Sequence, residues 1–285
     1  MYKVAVLLTC FNRVEKTLTC LRSLQKQQQS ELDISVFLVD DGSTDGTSEQ
    51  VGRLFPAVHL IRGHGNLYWN GGMRLAWKQA MQQPFDFYIW LNDDVELVGD
   101  AIARIIHFYH NAGDAKIGVV TGTMVSKKQH KVTYGGRCSQ YWWHPTRLGS
   151  LLPLSDVGQQ CDVVNGNFTL IPAKIVAVAG NLSDKFTHSI GDFDYAFRVR
   201  HLGFVCYVAP GYFGYCENNP KTGTPKDTSL SLKQRVELLN RPNKFPPYKE
   251  WQLFIREHGG LVWPVLWLKT LIRGKFPYLW VALRK

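Results

Sequence analysis

Two adjacent carboxylates, Asp93 and Asp94, follow a run of apolar residues that ends at Leu91, with only Asn92 between. The run over residues 88–91 predicts a strand buried on both faces, as in a parallel sheet. Charged side chains at the end of such a strand are costly unless they meet a partner. At the C-terminal edge of an open α/β sheet, beside a phosphorylated ligand, carboxylates commonly hold Mg²⁺ or Mn²⁺. The alternative is an ordinary turn, which Asn92 and the two aspartates also favour.

A second acidic pair, Asp40 and Asp41, follows the apolar run over residues 34–39. A carboxylate in this position can accept a hydrogen bond from the N–H of a pyrimidine base or from a ribose hydroxyl. The structural alternative is capping of the helix that comes next. One helix needs only one cap, which Asp45 can supply, so we favour ligand contact for the preceding pair.

A third acidic segment contains Asp192 and Asp194 at the predicted start of a helix. A positioned carboxylate can act as the general base that deprotonates an acceptor hydroxyl. Helix capping by Asp192 and an i,i+4 ion pair between Asp194 and Arg198 are the structural alternatives. His188 is either another base, a metal ligand or a structural side chain. Stacking on a sugar or base, or simple core packing, is open to Trp69, Trp142 and Trp143.

The elements that must position these residues alternate along the chain. Each predicted strand is followed by a Gly-rich or acidic turn, and helical patterns lie between the strands. These alternating βα units predict a mainly parallel sheet flanked by helices. The predicted strands cover residues 4–8, 34–39, 58–62 and 85–91, and then 117–122, 163–172 and 204–208. The predicted helices cover residues 73–81, 101–111 and 175–179, whereas residues 126–160 look irregular and residues 216–228 resemble a mobile loop.

Bulk composition limits the class of protein. The chain has 285 residues, 45% of them hydrophobic and 13% aromatic, which is enough for a sizeable core in one large domain with or without an appendage. Its six cysteines form no CxxC pair, which argues against a zinc site and fits reduced cytosolic thiols. We expect no signal peptide, because the first residues read directly as a core strand. No apolar stretch reaches the ~18 residues that span a bilayer.

The net charge of +10 comes from the last third of the chain. Residues 1–197 carry 18 basic and 18 acidic side chains, and residues 198–285 carry 15 against 5. Nucleic acid and an anionic membrane surface are two partners for such a segment. The C-terminal segment is also helical and aromatic, and tryptophan near lysine and arginine suits the membrane interface. The alternative is a C-terminal helix packed on the core.

Four short motifs occur in one order along the chain. They are Thr9, Cys10, Phe11, Asn12 and Arg13 after the first strand, Val39 to Asp45 after the second, Leu91 to Asp94 after the fourth, and Gly191, Asp192, Phe193, Asp194 and Arg198 at the later helix. In this order they resemble the family 2 inverting glycosyltransferases of the GT-A fold, with Asn92–Asp94 in the DxD position. The loop from Gly65 to Gly72, with Trp69, resembles the bacterial rhamnosyltransferase-like and O-antigen or capsule enzymes. The resemblance covers roughly residues 3–215.

The resemblance implies a role for each matching residue. Asp192 would be the general base, Asp94 the ligand of a divalent metal (Mn²⁺ or Mg²⁺), Asp41 a contact to the base and Asp93 a contact to the ribose. The donor nucleotide would be bound by Thr9, Phe11, Asn12, Arg13, Asp40, Asp41, Asn66, Trp69, Gly72, Asn92 and Asp93. Acceptor contact or support of the site falls to Trp142, Trp143, His188, Asp194 and Arg198.

Three positions depart from the family pattern. The DxD position opens with Asn92, and Gly191 stands where the family usually carries glutamate. The stretch over residues 214–218 has no histidine, although some relatives use one there as a further metal ligand.

We therefore predict a GT-A (Rossmann-like) domain over residues 1–215, with a nucleotide-sugar half (1–122) and an acceptor half (123–215). Residues 216–285 would form the mobile loop and a basic, aromatic, helical extension. The expected activity moves a sugar, from a UDP- or dTDP-sugar, to a hydroxyl of a glycan or lipid-linked acceptor in surface polysaccharide synthesis. We expect a cytoplasmic protein, peripheral on the membrane, without nucleic-acid binding, and leave a homo-oligomer open. The alternatives are a nucleotidyltransferase and a non-enzymatic basic membrane- or nucleic-acid-binding module.

Overall fold

The computed structural model describes residues 1–27, 30–220, 222–239 and 241–282, and two β-sheets run through them. The strands are β1 (Tyr2–Cys10), β2 (Leu32–Asp40), β3 (His59–Arg62), β4 (Phe87–Leu91), β5 (Glu96–Leu97), β6 (Ile117–Val125), β7 (Val132–Tyr134), β8 (Gly136–Tyr141), β9 (His144–Leu151), β10 (Gln159–Cys161), β11 (Val163–Val164), β12 (Phe168–Pro172) and β13 (Val205–Tyr215). The helices are α1 (Val14–Gln25), α2 (Thr47–Leu54), α3 (Tyr68–Ala80), α4 (Ala101–Asn111), α5 (Ala173–Ala179), α6 (Gly191–His201), α7 (Leu232–Leu238), α8 (Tyr248–His258), α9 (Trp263–Lys275) and α10 (Pro277–Ala282), with a 3₁₀ turn at Gly260–Val262.

The first four strands lie side by side in the order β3, β2, β1, β4, and all are parallel. Cys10 stands opposite Asp40, and Asp40 stands opposite Arg62, so the strands end level with one another. Their C-terminal turns therefore share one edge of the sheet. This arrangement confirms the predicted α/β fold with a mainly parallel central sheet flanked by helices.

The second half of the sheet brings further turns to the same edge. Strand β12 runs antiparallel to β4, with Phe168 opposite Leu91, so the turn that precedes β12 lies beside Asn92. The Asn92 N–H donates to the Asn167 carbonyl at 3.1 Å. Strand β13 runs parallel to β6 and ends at Tyr215, which brings Cys216 to the same edge.

The sheet is buried on both faces. Helices α1 and α4 contribute Leu21 and Ile105 to the core on one face. On the other face Trp77 of α3, Trp90 of β4 and Tyr195 of α6 pack together, with ring centroids 5.1–5.6 Å apart. Large aromatic side chains bury much apolar surface, so this cluster is a main source of stability beneath the edge.

The predicted bounds of several helices and strands were wrong. Residues 126–160, which looked irregular, form β7, the β8–β9 hairpin and β10. The hairpin strands are largely half-buried and so lack a clean apolar alternation. The strand predicted over 163–172 is two strands, β11 and β12, separated by a turn. Helix α3 begins at Tyr68, five residues earlier than predicted, and β13 continues seven residues beyond the predicted end at 208.

The C-terminal helices are tied to the main sheet through α6. Asp194 is 1% exposed, receives the Arg198 Nε hydrogen bond at 2.9 Å and lies 2.9 Å from His258 Nε2 of α8. Although burial opposes it, the His258 contact and the charge of Arg198 lower the pKa of Asp194. The i,i+4 pair of Asp194 and Arg198 is therefore present, and Asp194 also anchors α8 through His258. In the residues that the structure describes, no helix is both long and apolar enough to cross a bilayer, and the basic pair Arg284 and Lys285 lies outside those residues.

Replacing Asp194 by asparagine tests this anchor. The change leaves the Arg198 guanidinium and the His258 ring without their carboxylate, so we expect the free energy of unfolding to fall by about 3 kcal/mol in urea denaturation. Asp184→Asn is the matched control, because Asp184 is 73% exposed and lies 3.5 Å from Arg74. A surface pair of this kind contributes about 0–1 kcal/mol. Equal losses in the two variants would contradict the anchoring role.

Candidate functional site

A cavity of about 460 Å³ opens at the C-terminal ends of β1 and β2. Its walls combine aromatic rings, two cationic side chains and one carboxylate, which suits a planar base joined to phosphate groups. Six residues predicted from the sequence line it, namely Thr9, Phe11, Arg13, Asp41, Trp69 and His188. The other lining residues are Cys10, Gly65, Tyr68, Asn219, Pro220, Thr222, Thr224, Asn243 and Lys244.

Asp41 faces this cavity and also holds the start of α3. Its carboxylate accepts backbone N–H bonds from Gly65 at 2.8 Å, Leu67 at 2.8 Å and Tyr68 at 3.0 Å. The bonds from Leu67 and Tyr68 satisfy donors that a helix terminus leaves unpaired, and the bond from Gly65 fixes the loop before the helix. They explain why α3 begins earlier than its own sequence predicts, because the cap comes from a residue 27 positions away.

Asp40 does not line the cavity. It is 2% exposed, accepts the Ser43 N–H at 2.9 Å and binds the Ser48 hydroxyl. Asn12 binds the same turn, because its side-chain oxygen accepts the Thr44 N–H at 2.7 Å. Asp40 and Asn12, both predicted to bind the donor nucleotide, therefore shape the turn after β2, and we assign no ligand contact to either.

Arg13 pairs with both carboxylates of the Asp93–Asp94 edge. Its Nε and Nη2 bind Asp93, and its Nη1 lies 3.1 Å from Asp94. Asp93 is 1% exposed and also accepts from Thr17 at 3.3 Å. Burial raises the pKa of Asp93 to about 6, against the opposing charge of Arg13. Asp93 supports Arg13 with oxygens that are engaged inside the protein, and the ribose contact that the family resemblance implies stays a prediction.

Asp94 is the carboxylate that a divalent cation could reach. Its Oδ2 lies 3.1 Å from Arg13 and 3.7 Å from Lys16, and its Oδ1 lies 3.5 Å from the Cys216 thiol. Burial raises the pKa of Cys216 far above its usual range, so this thiol is a weak, neutral neighbour. Mg²⁺ in phosphate sites often takes one or two carboxylates and completes its shell with phosphate and water. The donor set around Asp94 therefore fits a one-carboxylate site.

A second set of side chains, Asp194, Glu257 and His258, is spaced closely enough to hold a cation. One ligand atom each from Asp194, Glu257 and His258 lie within 4.8 Å of one another. Asp194 there is already paired with Arg198 and His258, and Glu257 is paired with Lys185 at 2.7 Å. The group borders a separate cavity at the other end of α6 and does not line the cavity described above.

Trp69 separates the cavity from the turn before β12. Its indole N–H donates to the Asn92 side-chain oxygen at 2.7 Å, and its backbone N–H donates to His188 Nδ1 at 3.3 Å. A Cβ at Gly166 would overlap the Trp69 ring, so this turn needs glycine at the contact. Asn92, where the chain departs from the family pattern, thus fixes the indole.

His188 is neutral at physiological pH. Burial, reinforced by the charges of Arg13 and Lys244, lowers the pKa of His188 to about 4. Because its Nδ1 accepts a bond from Trp69, the ring proton sits on Nε2. The ring is therefore a hydrogen-bond donor, and it is a weaker base than a carboxylate whose pKa is raised.

Asp192 is such a carboxylate, at the first turn of α6. Its side chain accepts the Gly166 N–H at 3.0 Å and the Phe193 N–H at 2.9 Å. Burial raises the pKa of Asp192 to about 6. The Gly166 bond connects Asp192 to the turn that packs on Trp69. Asp192 is partly exposed beside this turn, with a proton affinity suited to general-base chemistry near neutral pH.

Gly191 explains the second departure from the family pattern. A Cβ there would overlap Asn70 Oδ1. Asn70 is fully buried and fixed, because its amide donates to the carbonyls of Ser183 at 2.8 Å and Phe186 at 2.7 Å. Glutamate therefore does not fit at 191 while Asn70 keeps this position.

The remaining predicted residues lie away from the cavity. Gly72 packs against Thr9 in the wall, where a Cβ would overlap the threonine hydroxyl. Asn66 is exposed in the loop before α3. Trp142 is 82% exposed and Trp143 39% exposed at the tip of the β8–β9 hairpin. Neither tryptophan lines the cavity.

Sequence reasoning missed the C-terminal contribution to the cavity. Asn243 and Lys244 line it from a segment that has no recognisable pattern, about 200 residues after Asp41 of the same cavity. Tyr68, which precedes Trp69, was also missed; it lines the cavity and has a positive φ of 53°. A lysine in a basic, patternless segment carries no signal that separates a ligand contact from a solvated charge.

Comparison with known proteins places the chain among enzymes of one kind. The family model "Glycosyl transferase family 2" matches residues 5–159. A mannosyltransferase, PcManGT from Pyrobaculum calidifontis in complex with GDP-Man and Mn²⁺, superposes with a TM-score of 0.57 at 15% identity, over 98% of this chain and 71% of that one. S. aureus TarS (1–349) in complex with UDP superposes with a TM-score of 0.54 at 14% identity, over 89% of this chain and 70% of that one. No curated protein sequence matches significantly.

Arg13→Met tests whether Arg13 neutralises the buried edge. Without the guanidinium, the pKa of Asp93 should rise further above the 3.8 of a free carboxyl. A carboxyl with a raised pKa in the folded protein favours folding at low pH, and this contribution is lost as pH rises through that pKa. We expect about 3 kcal/mol of lost stability at pH 8 and a smaller loss at pH 5, measured by urea denaturation.

The exposed Arg22 in the last turn of α1 gives the matched control, Arg22→Met, which should change stability little at either pH. A loss in Arg13→Met that is the same at pH 5 and pH 8 would show that Asp93 does not depend on this charge.

Proposed function

The chain belongs to glycosyl transferase family 2, and we propose that it is an inverting enzyme that transfers a sugar from a nucleotide-diphosphate donor to an acceptor hydroxyl. The observation that carries the proposal is the cavity at the sheet edge together with Asp192, whose pKa is about 6 and which binds the turn that packs on the wall residue Trp69. Family membership leads us to prefer this reaction to nucleotidyl transfer and to a non-enzymatic binding role.

The proposed reaction is a single displacement. Asp192 accepts the proton of the acceptor hydroxyl as the hydroxyl oxygen attacks the anomeric carbon. The new C–O bond forms on the face opposite the bond to the diphosphate, which breaks and keeps its electron pair. The configuration at the anomeric carbon is inverted, and a nucleoside diphosphate leaves.

The leaving diphosphate gains one further negative charge, which must be neutralised. Arg13 and Lys244 both line the cavity, and the charges of both lower the pKa of His188. Positive groups placed where charge develops contribute much of the rate in such reactions. A divalent ion held by Asp94, Mn²⁺ or Mg²⁺, would add Lewis-acid stabilisation of the same phosphate groups when bound.

The nucleoside would occupy the cavity between Phe11 and Asp41. Phe11 is half exposed and can stack on a base, whereas Thr9 and Asp41 offer polar contacts on the same wall. The solved relatives were captured with GDP-Man and with UDP, which supports a nucleotide-sugar donor as the class. We propose a UDP- or dTDP-sugar, in keeping with the resemblance to rhamnosyltransferase-like enzymes.

For the acceptor we propose a glycan hydroxyl, carried on a lipid, in the synthesis of a surface polysaccharide. The protein would then work as a peripheral protein on the cytoplasmic face of the membrane. The net positive charge of residues 198–285 supports this location, because anionic lipids attract positively charged segments. Self-association into a homo-oligomer is compatible with this proposal and is not required by it.

Asp192→Asn tests the general base. We expect turnover to fall by about 10²–10⁴-fold with donor binding retained, because only the proton acceptor is removed. In the unchanged enzyme, activity should decline below about pH 6, where Asp192 becomes protonated and can no longer accept a proton. The readout is nucleoside diphosphate release against pH, with Asp184→Asn as control. Near-normal turnover in Asp192→Asn would refute the assignment.

A thermal-shift screen tests the donor and the metal together. A nucleotide sugar that binds only the folded chain raises the melting temperature according to its concentration over Kd. We expect a stabilising UDP- or dTDP-sugar whose effect grows with Mn²⁺, and Asp94→Asn should remove only the metal-dependent part. If no nucleotide sugar stabilises the chain, with or without Mn²⁺, the proposed function is wrong.

A further inference from the structure

The C-terminal helices carry a row of exposed apolar side chains, here called the C-terminal stripe. Its members are 42–75% exposed and recur every three or four residues. Three of them lie on one side of α9, and the others lie in the 3₁₀ turn before α9, at the junction with α10 and on α10. The members are Leu261, Val265, Leu268, Ile272, Phe276 and Leu279.

Away from the stripe, α9 buries two polar side chains. Thr270 is 2% exposed and Arg273 4% exposed. Arg273 donates to the carbonyl of Leu239 at 3.4 Å and binds that of Pro246, and its guanidinium lies 4.4 Å from the Phe245 ring centre. The helix is therefore fixed with its apolar side facing outward. A fixed, contiguous apolar surface of this kind marks an interaction site.

The tip of the β8–β9 hairpin extends this surface. A Cβ at Gly260 would lie 3.2 Å from the Trp143 carbonyl oxygen, so the tip packs on the turn before α9. The charge of Lys269 also contributes to lowering the pKa of His144, after burial and Arg147, which places α9 beside the hairpin. The most exposed aromatic side chain of the tip is that of Trp142, which is 82% exposed.

We propose that the C-terminal stripe and Trp142 together dock on the anionic surface of a lipid bilayer. With about 3.6 residues per turn, Lys269 and Lys275 flank the stripe on its two sides. Residues 258–285 contain five basic and no acidic side chains. Aliphatic residues at the acyl boundary, with lysine and tryptophan at the headgroups, match an in-plane interfacial helix.

Charge favours a bilayer over a second copy of the chain. In a twofold dimer built on this face, the same lysines would oppose one another with no acidic residue on α9 or α10 to pair with them. Anionic headgroups supply the missing negative charge. The inference rests on the proposed function only in that the bilayer would present the lipid-linked acceptor.

Vesicle sedimentation of the full chain tests the surface. We expect binding to vesicles of phosphatidylcholine mixed with phosphatidylglycerol, weaker binding to phosphatidylcholine alone, and weakening of the binding to the anionic vesicles by salt. The double variant Val265→Glu, Leu268→Glu should bind about tenfold less or weaker still, because two buried apolar contacts become charges. Trp142→Ala, at an exposed tip where folding is not at risk, should show a smaller loss.

Val178→Glu is the matched control, because Val178 is 56% exposed on α5 and does not belong to the stripe. Failure of the unchanged protein to bind anionic vesicles overturns the proposal. So does equal loss in the control, or a change in oligomeric state by light scattering without vesicle binding. Donor-induced thermal stabilisation should be the same in all variants, so loss of docking and failure of the proposed function give different results.

Discussion

One guanidinium holds the acidic edge of the sheet together. Arg13 comes from the turn after β1 and binds Asp93 and Asp94 after β4, so it joins two turns that are 80 residues apart in sequence. Two adjacent carboxylates at the end of a fully buried strand would otherwise repel each other and lose hydration. With Arg13 in place the strand ends can stay level. The cavity wall, which includes Arg13 itself, depends on that alignment.

The remaining site follows from hydrogen bonds between neighbouring turns. Asp41 fixes the beginning of α3, which positions Tyr68 and Trp69 in the wall. Trp69 then binds Asn92 and packs on the turn that donates to Asp192. The candidate base is therefore coupled to the donor cavity through a continuous set of contacts. Rigid turns on a buried sheet hold such groups more precisely than loops that stand alone.

The sequence predicted the sheet better than the roles of individual side chains. Strands β1, β2 and β4 are continuous apolar runs, and the residues after them had to meet at one edge once the strands were parallel. The pairing of Arg13 with Asp93, and the cap that Asp41 gives to α3, are long-range contacts that no local pattern encodes. The hairpin over residues 136–151 was missed because its strands are half exposed, and Lys244 was missed because packing alone brings it to the cavity.

The contact between Gly191 and Asn70 makes two distant positions interdependent. A side chain at 191 and the buried amide at 70 compete for the same volume, and the amide is held by two carbonyls of the segment that leads into α6. A glutamate at 191 thus becomes acceptable only when position 70 changes in the same step. Mutational scans that vary one residue at a time would score both sites as intolerant, although a paired exchange is sterically open. Engineering that aims to recover the acidic pair of related enzymes has to begin with Asn70, on a different helix from the base it would accompany.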